Sequence, residues 1–191
     1  MSWTCHGSNN TTMVAALKRA GLDAPQPLGY GATISAPHMH AVCLELLARQ
    51  LRPGARVLDV GSGSGYLTLV FAHLAARGPG AVVVGVEHIS ELVASSLAAA
   101  RGVPWAAAML VDGSLQLLQG DGHAGYPAAA PFDAIHVGAA AAAVPPALMA
   151  QLAPGGRLVV PVGPEGGPQQ LVVVDRDERG RLSSRVEMGV M

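Results

Sequence analysis

Residues 57–67 read Val-Leu-Asp-Val-Gly-Ser-Gly-Ser-Gly-Tyr-Leu, an apolar run that ends in a loop with three glycines. Apolar residues then recur at helical spacing as far as Leu74. The pattern predicts a strand, a tight glycine loop and a helix, which together form the front of a βαβ unit. Glycines in such a loop let a ligand approach the backbone closely, and the first N–H groups of the helix point toward it.

The spacing of the glycines argues against a dinucleotide as that ligand. A dinucleotide fingerprint reads Gly-x-Gly-x-x-Gly, but here the third glycine, Gly65, comes one residue early and Tyr66 takes its place. Asp59 at the strand end would repel a pyrophosphate, whereas it suits a cationic ligand with an amino group. S-adenosylmethionine carries a sulfonium and an α-ammonium group, so it fits the loop better. A glycine-rich turn in another kind of α/β protein is the alternative.

Two further strand ends carry carboxylates in the same order along the chain. Residues 81–86 form an apolar strand pattern that ends at Glu87, which is placed to accept hydrogen bonds from ribose hydroxyls. Residues 115–118 form a third strand pattern, followed by Gly120-Asp121-Gly122, whose carboxylate can accept from an adenine amine. Taken singly, Glu87 fits a solvated loop and Gly-Asp-Gly an ordinary turn. Because ligands gather at the carboxyl ends of strands in open α/β sheets, the three together predict a nucleoside pocket.

The composition fits one domain with helices on both faces of a parallel sheet. The chain has 191 residues, of which 50% are hydrophobic and 13% charged. A formal net charge of −1 and the absence of a Lys/Arg cluster predict no nucleic-acid binding. Cys5 and Cys43 form no disulfide framework, which favours a reducing, cytoplasmic compartment. We expect neither a signal peptide nor a membrane span, and therefore no membrane partner.

The remaining segments predict the other helices, strands and loops. A short helix is expected after Asn10, and an irregular connection over residues 101–114. Residues 23–37 read as an ordered loop before a helix that begins at Pro37. Further elements are expected at residues 132–137 (strand), 145–152 (helix), 154–156 (turn), 158–162 and 170–175 (strands), 177–180 (hairpin turn) and 185–188 (returning strand).

Five segments carry a more specific signal than the glycine loop alone. They are Gly-Tyr-Gly-Ala-Thr-Ile-Ser-Ala-Pro-His-Met-His at 29–40, Leu-Asp-Val-Gly-Ser-Gly-Ser-Gly at 58–65, Gly-Asp-Gly at 120–122, Asp-Ala-Ile-His-Val-Gly at 133–138 and Pro-Gly-Gly-Arg-Leu at 154–158. Together they resemble the protein-L-isoaspartate (D-aspartate) O-methyltransferases. The resemblance runs in order from about residue 27 to residue 170, and Thr-Ile-Ser-x-Pro is its most specific part.

The resemblance implies a fold, a reaction and a cofactor. The fold is a class I methyltransferase-like, Rossmann-like three-layer α/β sandwich, with a mainly parallel sheet, formed by residues 1–191 as one domain. Residues 1–36 would carry an N-terminal helix and the substrate loop, and residues 37–191 the core that binds S-adenosylmethionine. The family methylates the α-carboxylate of L-isoaspartyl and D-aspartyl residues in damaged proteins and peptides. The ester then collapses to a succinimide, which reopens partly to normal aspartate.

The resemblance also assigns roles to individual residues. Ser35 matches the active-site serine of the family. The positions expected to bind the cofactor are Ala32, Thr33, Ile34, Ser35 and His40 beside the substrate site, Asp59, Gly61, Ser62, Gly63 and Ser64 at the methionine end, Glu87 and His88 at the ribose, and Asp121 and Gly122 at the adenine. We expect the protein to be a monomer. We also expect no metal site, since a His-x-His pair without further ligands is weak evidence for one.

The chemistry requires few protein groups. The substrate carboxylate is ionised at neutral pH and is itself the nucleophile, so no strong general base is needed. A dry, aligned site favours a reaction in which sulfonium and carboxylate neutralise each other. Ser35 can orient the carboxylate through one hydrogen bond, although a serine two residues before Pro37 also fits a helix cap. His136 on an apolar strand is expected to be a hydrogen-bonded core histidine.

The chain departs from the family pattern at two places. A helical segment and loop that the family has before the Thr-Ile-Ser region is missing after Gly21-Leu22, and the chain ends at Met191 where the family continues. These departures could open the pocket, so the alternative function is a weak or inactive variant that binds S-adenosylmethionine or isoaspartyl residues. Two other classes lack their signals: Pro145-Pro146 is followed by Ala147, unlike in nucleic-acid amino methyltransferases, and residues 137–143 hold no glutamate pair typical of arginine methyltransferases.

Overall fold

The described residues form a seven-stranded sheet and a separate two-stranded hairpin in this computed structural model, which covers residues 19, 21–75, 78–164 and 166–190. The strands are β1 (Gln26–Gly29), β2 (Ala32–Ile34), β3 (Arg56–Val60), β4 (Val82–Glu87), β5 (Leu115–Gln119), β6 (Phe132–Val137), β7 (Leu152–Val162), β8 (Gln169–Arg176) and β9 (Leu182–Val190). The sheet order is β5-β4-β3-β6-β7-β8-β9. The first five strands in this order, β5, β4, β3, β6 and β7, are parallel to one another. Strand β8 is antiparallel to both β7 and β9.

Helices cover both faces of this sheet. They are α1 (Pro37–Leu47), α2 (Tyr66–Ala75), α3 (Ser90–Arg101), α4 (Pro104–Asp112) and α5 (Pro146–Ala150), with 3₁₀ turns at Gly122–Ala124 and Pro127–Ala129. The predicted three-layer α/β sandwich with a mainly parallel sheet is therefore confirmed. None of the described helices is long and apolar enough to cross a membrane.

Neighbouring residues of β3 show how the sheet separates two cores. Val57 packs in one cluster with Phe71 of α2, while Leu58 packs in the other with Leu148 of α5, and all four are fully buried. Successive side chains of a strand point to opposite faces. A strand that is covered on both sides therefore reads as a continuous apolar run, which is why the sequence pattern located β3 correctly.

The expectation of an irregular connection over residues 101–114 is wrong, because this segment contains α4. Pro104 lies in the first turn, where its missing N–H costs nothing, and Gly113 ends the helix with a φ of 79°. Ala106 and Met109, three residues apart, are buried against the core. Proline and glycine thus mark the two ends of a short helix here and not a loop.

The proline- and glycine-rich segment 23–37 is more regular than expected. It contains the antiparallel hairpin of β1 and β2, in which Gln26 pairs with Ile34. At its tip, Gly29, Tyr30 and Gly31 all have positive φ angles, of 89°, 55° and 76°. The two glycines avoid most of the steric cost of such a turn. Tyr30 adopts a positive φ angle although it carries a side chain.

The region around β7 also differs from the prediction. Helix α5 ends at Ala150 and not at residue 152. Residues 154–156 do not separate a helix from a strand but form an irregularity within β7, because Phe132 pairs with Leu152 while Ala134 pairs with Arg157. The other predicted strands and the hairpin turn before β9 are confirmed. The short helix expected after Asn10 lies outside the described residues.

Candidate active site

Two adjoining cavities lie at the carboxyl ends of β3, β4, β5 and β6, and Gly61 contributes to both. The larger cleft has a volume of about 540 Å³ and the small pocket one of about 40 Å³. In an open α/β sheet this edge is where ligands bind. The arrangement fits a ligand with one large apolar part and a second end that reaches a confined polar space.

The loop between β3 and α2 separates the two cavities, and its backbone requires glycine. Gly61, Gly63 and Gly65 have φ angles of 71°, 51° and 76°, a region that side chains disfavour. A Cβ atom on Gly65 would also lie 2.9 Å from the Cβ atom of Ser96. The amides of Gly61 and Ser62 donate to the carbonyl of Val86 at 2.8 and 3.2 Å, which ties the loop to β4.

Glu87 holds the same loop from the end of β4. Its Oε2 atom accepts from the amide of Gly63 at 2.9 Å, and its Oε1 atom accepts from the amides of His88 and Ile89 at 2.9 and 3.1 Å. The residue is 5% exposed and does not line either cavity, whereas His88 lines the larger cleft. Each carboxylate oxygen can accept two hydrogen bonds, so Oε2 keeps one acceptor position beside the loop.

The larger cleft is mainly apolar with a polar rim. Its walls include Val60, Val86, Val137 and Leu148, and Asp121 lies at its edge. The pKa of Asp121 is lowered mainly by a hydrogen bond from the backbone amide of His123 and less by one from the His123 side chain. Asp121 is exposed and is ionised at neutral pH.

Gly122 in the wall of the larger cleft approaches Val60 so closely that a side chain there would clash. A Cβ atom there would lie 2.5 Å from the Cγ1 atom of Val60. A side chain at residue 122 would therefore force Val60 or its own turn to move, which would reshape this wall of the cleft. Its size, apolar walls and single carboxylate suit an adenosine group.

The small pocket gathers most of the residues that the resemblance assigns to the reaction. Ser35 is half-buried, and no hydrogen bond to its hydroxyl is formed by the residues that the structure describes. The interpretation of Ser35 as a helix cap is wrong, because the N-cap of α1 is Ala36, and the first-turn amide of His38 is bonded to Asp23 instead. Ser35 is therefore available to a ligand in the pocket.

Asp59 forms the floor of the small pocket together with two partners. It is 1% exposed; its Oδ1 atom lies 2.8 Å from Nδ1 of His136, and its Oδ2 atom accepts from the Thr68 hydroxyl at 2.5 Å. Burial lowers the pKa of His136, but hydrogen bonds with Asp59 and Cys43 and the charge of Asp59 more than offset this effect and raise it to about 10. The prediction that His136 is a hydrogen-bonded core histidine is confirmed.

The two histidines near the start of α1 have different surroundings. His38 donates its backbone amide to Asp23 at 2.9 Å, and its Nδ1 atom lies 2.8 Å from the same carboxylate oxygen. His40 lines the small pocket, where burial is the main cause that lowers its pKa. The described residues contain no group of three or more His, Cys, Asp or Glu side chains that could hold a metal ion.

The predicted site residues come together at the two cavities, with two exceptions. Those in the small pocket are Thr33, Ile34, Ser35, His40, Asp59, Gly61, Ser62, Gly63 and Ser64, and those in the larger cleft are Gly61, His88, Asp121 and Gly122. Ala32 and Glu87 line neither.

Sequence reasoning missed several wall residues, among them Tyr66, His136 and residues 138–141. The last group follows β6, whose end lies at the same sheet edge as those of β3, β4 and β5, and this position was a usable signal.

The residues present fit S-adenosylmethionine. The volume beside Gly122 accommodates an adenosine, and the glycine loop leads from there to the small pocket with its buried Asp59. The small pocket has a polar lining that includes Ser35, Asp59 and Ser64, and this lining suits the polar methionine end.

Known proteins are similar to this chain in sequence and in fold. The family model described as protein-L-isoaspartate (D-aspartate) O-methyltransferase matches residues 13–191. A wheat (Triticum aestivum) protein-L-isoaspartate O-methyltransferase is 54% identical over 168 residues, which are 88% of this chain and 71% of that protein. The Caenorhabditis elegans protein of the same name is 47% identical over 86% of this chain and 71% of its own length.

A solved structure is similar over nearly the whole chain. It is that of a Plasmodium falciparum protein assigned as a protein-L-isoaspartate O-methyltransferase and crystallised with S-adenosyl-L-homocysteine. The TM-score is 0.81 at 29% identity, and the match covers 96% of each chain. With the family model matching most of its length and relatives about half identical in sequence, this chain belongs to the protein-L-isoaspartate (D-aspartate) O-methyltransferase family.

Proposed function

We propose that this chain transfers the methyl group of S-adenosylmethionine to the α-carboxylate of L-isoaspartyl and D-aspartyl residues, which initiates the repair of damaged proteins. The observation that carries the proposal is the arrangement of the two cavities. An apolar cleft of nucleoside size meets a small polar pocket at Gly61, and Ser35 lies in that pocket. Membership of the family supports the same reaction.

The cofactor would be held by groups from three strand ends. Asp121 and the wall beside Gly122 suit the adenine, Glu87 and His88 the ribose, and Asp59 with the glycine loop the methionine end. When bound, S-adenosylmethionine supplies an electrophilic methyl group on a positively charged sulfur. Glu87 takes the ribose role from the family resemblance, since it lines neither cavity; its Oε2 atom retains one acceptor position next to the Gly63 amide.

The acceptor carboxylate needs little activation by the protein. It is ionised at neutral pH, so one of its oxygens bonds to the methyl carbon while the carbon–sulfur bond breaks and its electron pair stays on sulfur. A neutral thioether and a neutral ester result, and no proton moves. The Ser35 hydroxyl donates to the second carboxylate oxygen and so fixes the direction of attack.

The hairpin of β1 and β2 limits access of water to the small pocket. Leu28 and Ile34 from the two strands line this pocket, so the hairpin forms an apolar side wall. Two ions of opposite charge react faster where water does not solvate them separately. The hairpin also offers extended backbone along which a substrate peptide can lie, which suits a residue located in a flexible segment.

The experiment is methyl transfer from labelled S-adenosylmethionine to an isoaspartyl peptide, with the matched aspartyl peptide as the negative substrate. Ser35→Ala tests the active-site residue, and Ser184→Ala on the exposed strand β9 is the matched control. Transfer to the isoaspartyl peptide only, lowered about tenfold or more by Ser35→Ala and unchanged by Ser184→Ala, supports the proposal. No transfer by a folded protein that binds S-adenosylhomocysteine contradicts it and favours a binding protein without activity.

We further propose that the enzyme acts as a monomer in the cytoplasm on isoaspartyl-containing proteins and peptides. Both cavities are lined by described residues of one chain, so no second copy is needed to complete them. Cys43 is a buried free thiol, which suits a reducing compartment. A formal net charge of −1 supports the expectation that nucleic acids are not substrates.

A further inference from the structure

His136 reaches from the core to the small pocket. Its side chain is 9% exposed and contributes to the pocket lining together with Ser35 and Asp59. His136 and Asp59 are paired in register on the adjacent strands β6 and β3, and Nδ1 of His136 lies 2.8 Å from Oδ1 of Asp59. Two charged groups of opposite sign therefore form the base of the space in which we place the reaction.

The groups around His136 come from three elements, and two of them, Asp59 and Cys43, favour its protonated form. Asp59 faces it from β3, Cys43 and His40 face it from α1, and the ring of Phe71 on α2 lies 5.8 Å from its own. Burial lowers the pKa of His136, but Asp59 and Cys43 raise it on balance to about 10. The imidazole is thus a cation at neutral pH, and the pair with Asp59 has no net charge.

The substrate expected here is an anion. Neutralisation of the Asp59 charge by His136 therefore matters for substrate binding. A buried Asp59 without a cation would repel the acceptor carboxylate, and the hydroxyl of Thr68 supplies a hydrogen bond but no charge. Among the described residues that line the small pocket, none is Lys or Arg. The pKa of His40 is lowered, chiefly by burial, so His40 is neutral. His136 is therefore the cation of this lining.

We propose that His136 is a positioning residue that neutralises Asp59 and thereby lets the small pocket accept and orient an anionic acceptor. The inference rests on the proposed function and names the feature of the site that selects a carboxylate over a neutral group. His136 does not exchange a proton with substrate. It acts through Asp59 and through its charge.

The test compares the affinities of two peptides that differ only in charge. One carries isoaspartate, and the other carries the same residue with its free α-carboxylate replaced by a carboxamide. Their dissociation constants are measured with S-adenosylhomocysteine present, in the wild type, in His136→Asn and in the control His73→Asn, whose histidine is exposed on α2. A ratio of affinities cancels general damage to the pocket.

We expect His136→Asn to lower the preference for the carboxylate about tenfold, as removal of one charge a few ångströms away predicts. His73→Asn should leave the preference unchanged. A preference in His136→Asn within about twofold of the wild type overturns the inference.

A second variant decides the matter if His136→Asn does not fold. Removing one partner leaves Asp59 buried without a counter-charge, which is strongly destabilising. The double variant Asp59→Asn/His136→Asn removes both charges, so its preference for the carboxylate should lie close to that of the wild type. A double variant that has lost the preference about tenfold overturns the inference, because no anion is left to repel the peptide. A wild type that transfers no methyl group overturns the proposed function and this inference, whereas an active wild type with an unaltered His136→Asn overturns only the inference.

Discussion

Replacing Glu87 by glutamine should loosen the glycine loop without changing the size of the side chain. Three backbone amides donate to this carboxylate, one to Oε2 and two to Oε1. The side-chain amide of glutamine has only one acceptor oxygen. This oxygen should take the Oε1 position, where it keeps the two bonds from the His88 and Ile89 amides, because the Oε2 position would keep only one bond. Its NH₂ group then faces the N–H of Gly63, so two donors oppose each other and the bond from the loop is lost.

The cost of Glu87→Gln follows from the burial of the site. Leaving one buried donor unpaired costs about 1–3 kcal/mol, and the two surviving bonds lose the strengthening that a charged acceptor gives. We therefore expect unfolding to become easier by about 2–3 kcal/mol, a fall in Tm of roughly 5–10 °C for a chain of this size. Affinity for S-adenosylhomocysteine should fall about tenfold, because the Gly63 amide no longer has a fixed direction.

Thermal unfolding with and without S-adenosylhomocysteine measures both effects. Glu91→Gln is the matched control, since Glu91 is exposed in the first turn of α3 and should change stability by less than about 0.5 kcal/mol. If Glu87→Gln unfolds within about 1 °C of Glu91→Gln, the three amide bonds do not hold the loop as described.

Three further predictions follow from the geometry. Gly122→Ala should weaken binding of S-adenosylhomocysteine in calorimetry and also lower stability by about 1–3 kcal/mol, because its Cβ would lie 2.5 Å from Cγ1 of the buried Val60; unaltered binding would contradict the placement of the cleft. Phe71→Ala should cost about 3–5 kcal/mol in urea unfolding, since Phe71 is fully buried, and a loss below about 1 kcal/mol would contradict its packing. The raised pKa of His136, about 10, adds stability that is complete below about pH 6.5 and is lost as the pH rises to about 10. The urea midpoint of the wild type should fall as the pH rises over that range, and that of Asp59→Asn should fall less. An equal dependence of the midpoint on pH in the two proteins would contradict the ion pair.

The parts of the fold that depend on local pattern could be predicted from the sequence. The apolar run before Gly61 predicts β3, the periodic residues after it predict α2, and the carboxylates at later strand ends predict the order of the site. Each of these features is contained in a few consecutive residues. Helix α4 was missed because Pro104 and Gly113 are read as loop signals when the burial of Met109 is unknown.

Features that depend on which strands are neighbours could not be predicted in the same way. Asp59 and His136 are far apart in the sequence, and only the pairing of β3 with β6 brings them into register. The bond from the Gly63 amide to Glu87 likewise requires the loop after β3 to fold over the end of β4. A single sequence states neither the strand order nor these contacts, so His136 was expected only as a core residue.

Repair is the most direct test of the central claim. The measurement follows an isoaspartyl peptide by chromatography during repeated rounds with S-adenosylmethionine and the wild-type chain, and it quantifies the normal aspartyl peptide that appears. We predict that the isoaspartyl form falls, that the aspartyl form rises, and that Ser35→Ala slows both changes. An isoaspartyl peptide that persists at the level of a sample without enzyme, while the protein is folded and binds S-adenosylhomocysteine, would contradict the account.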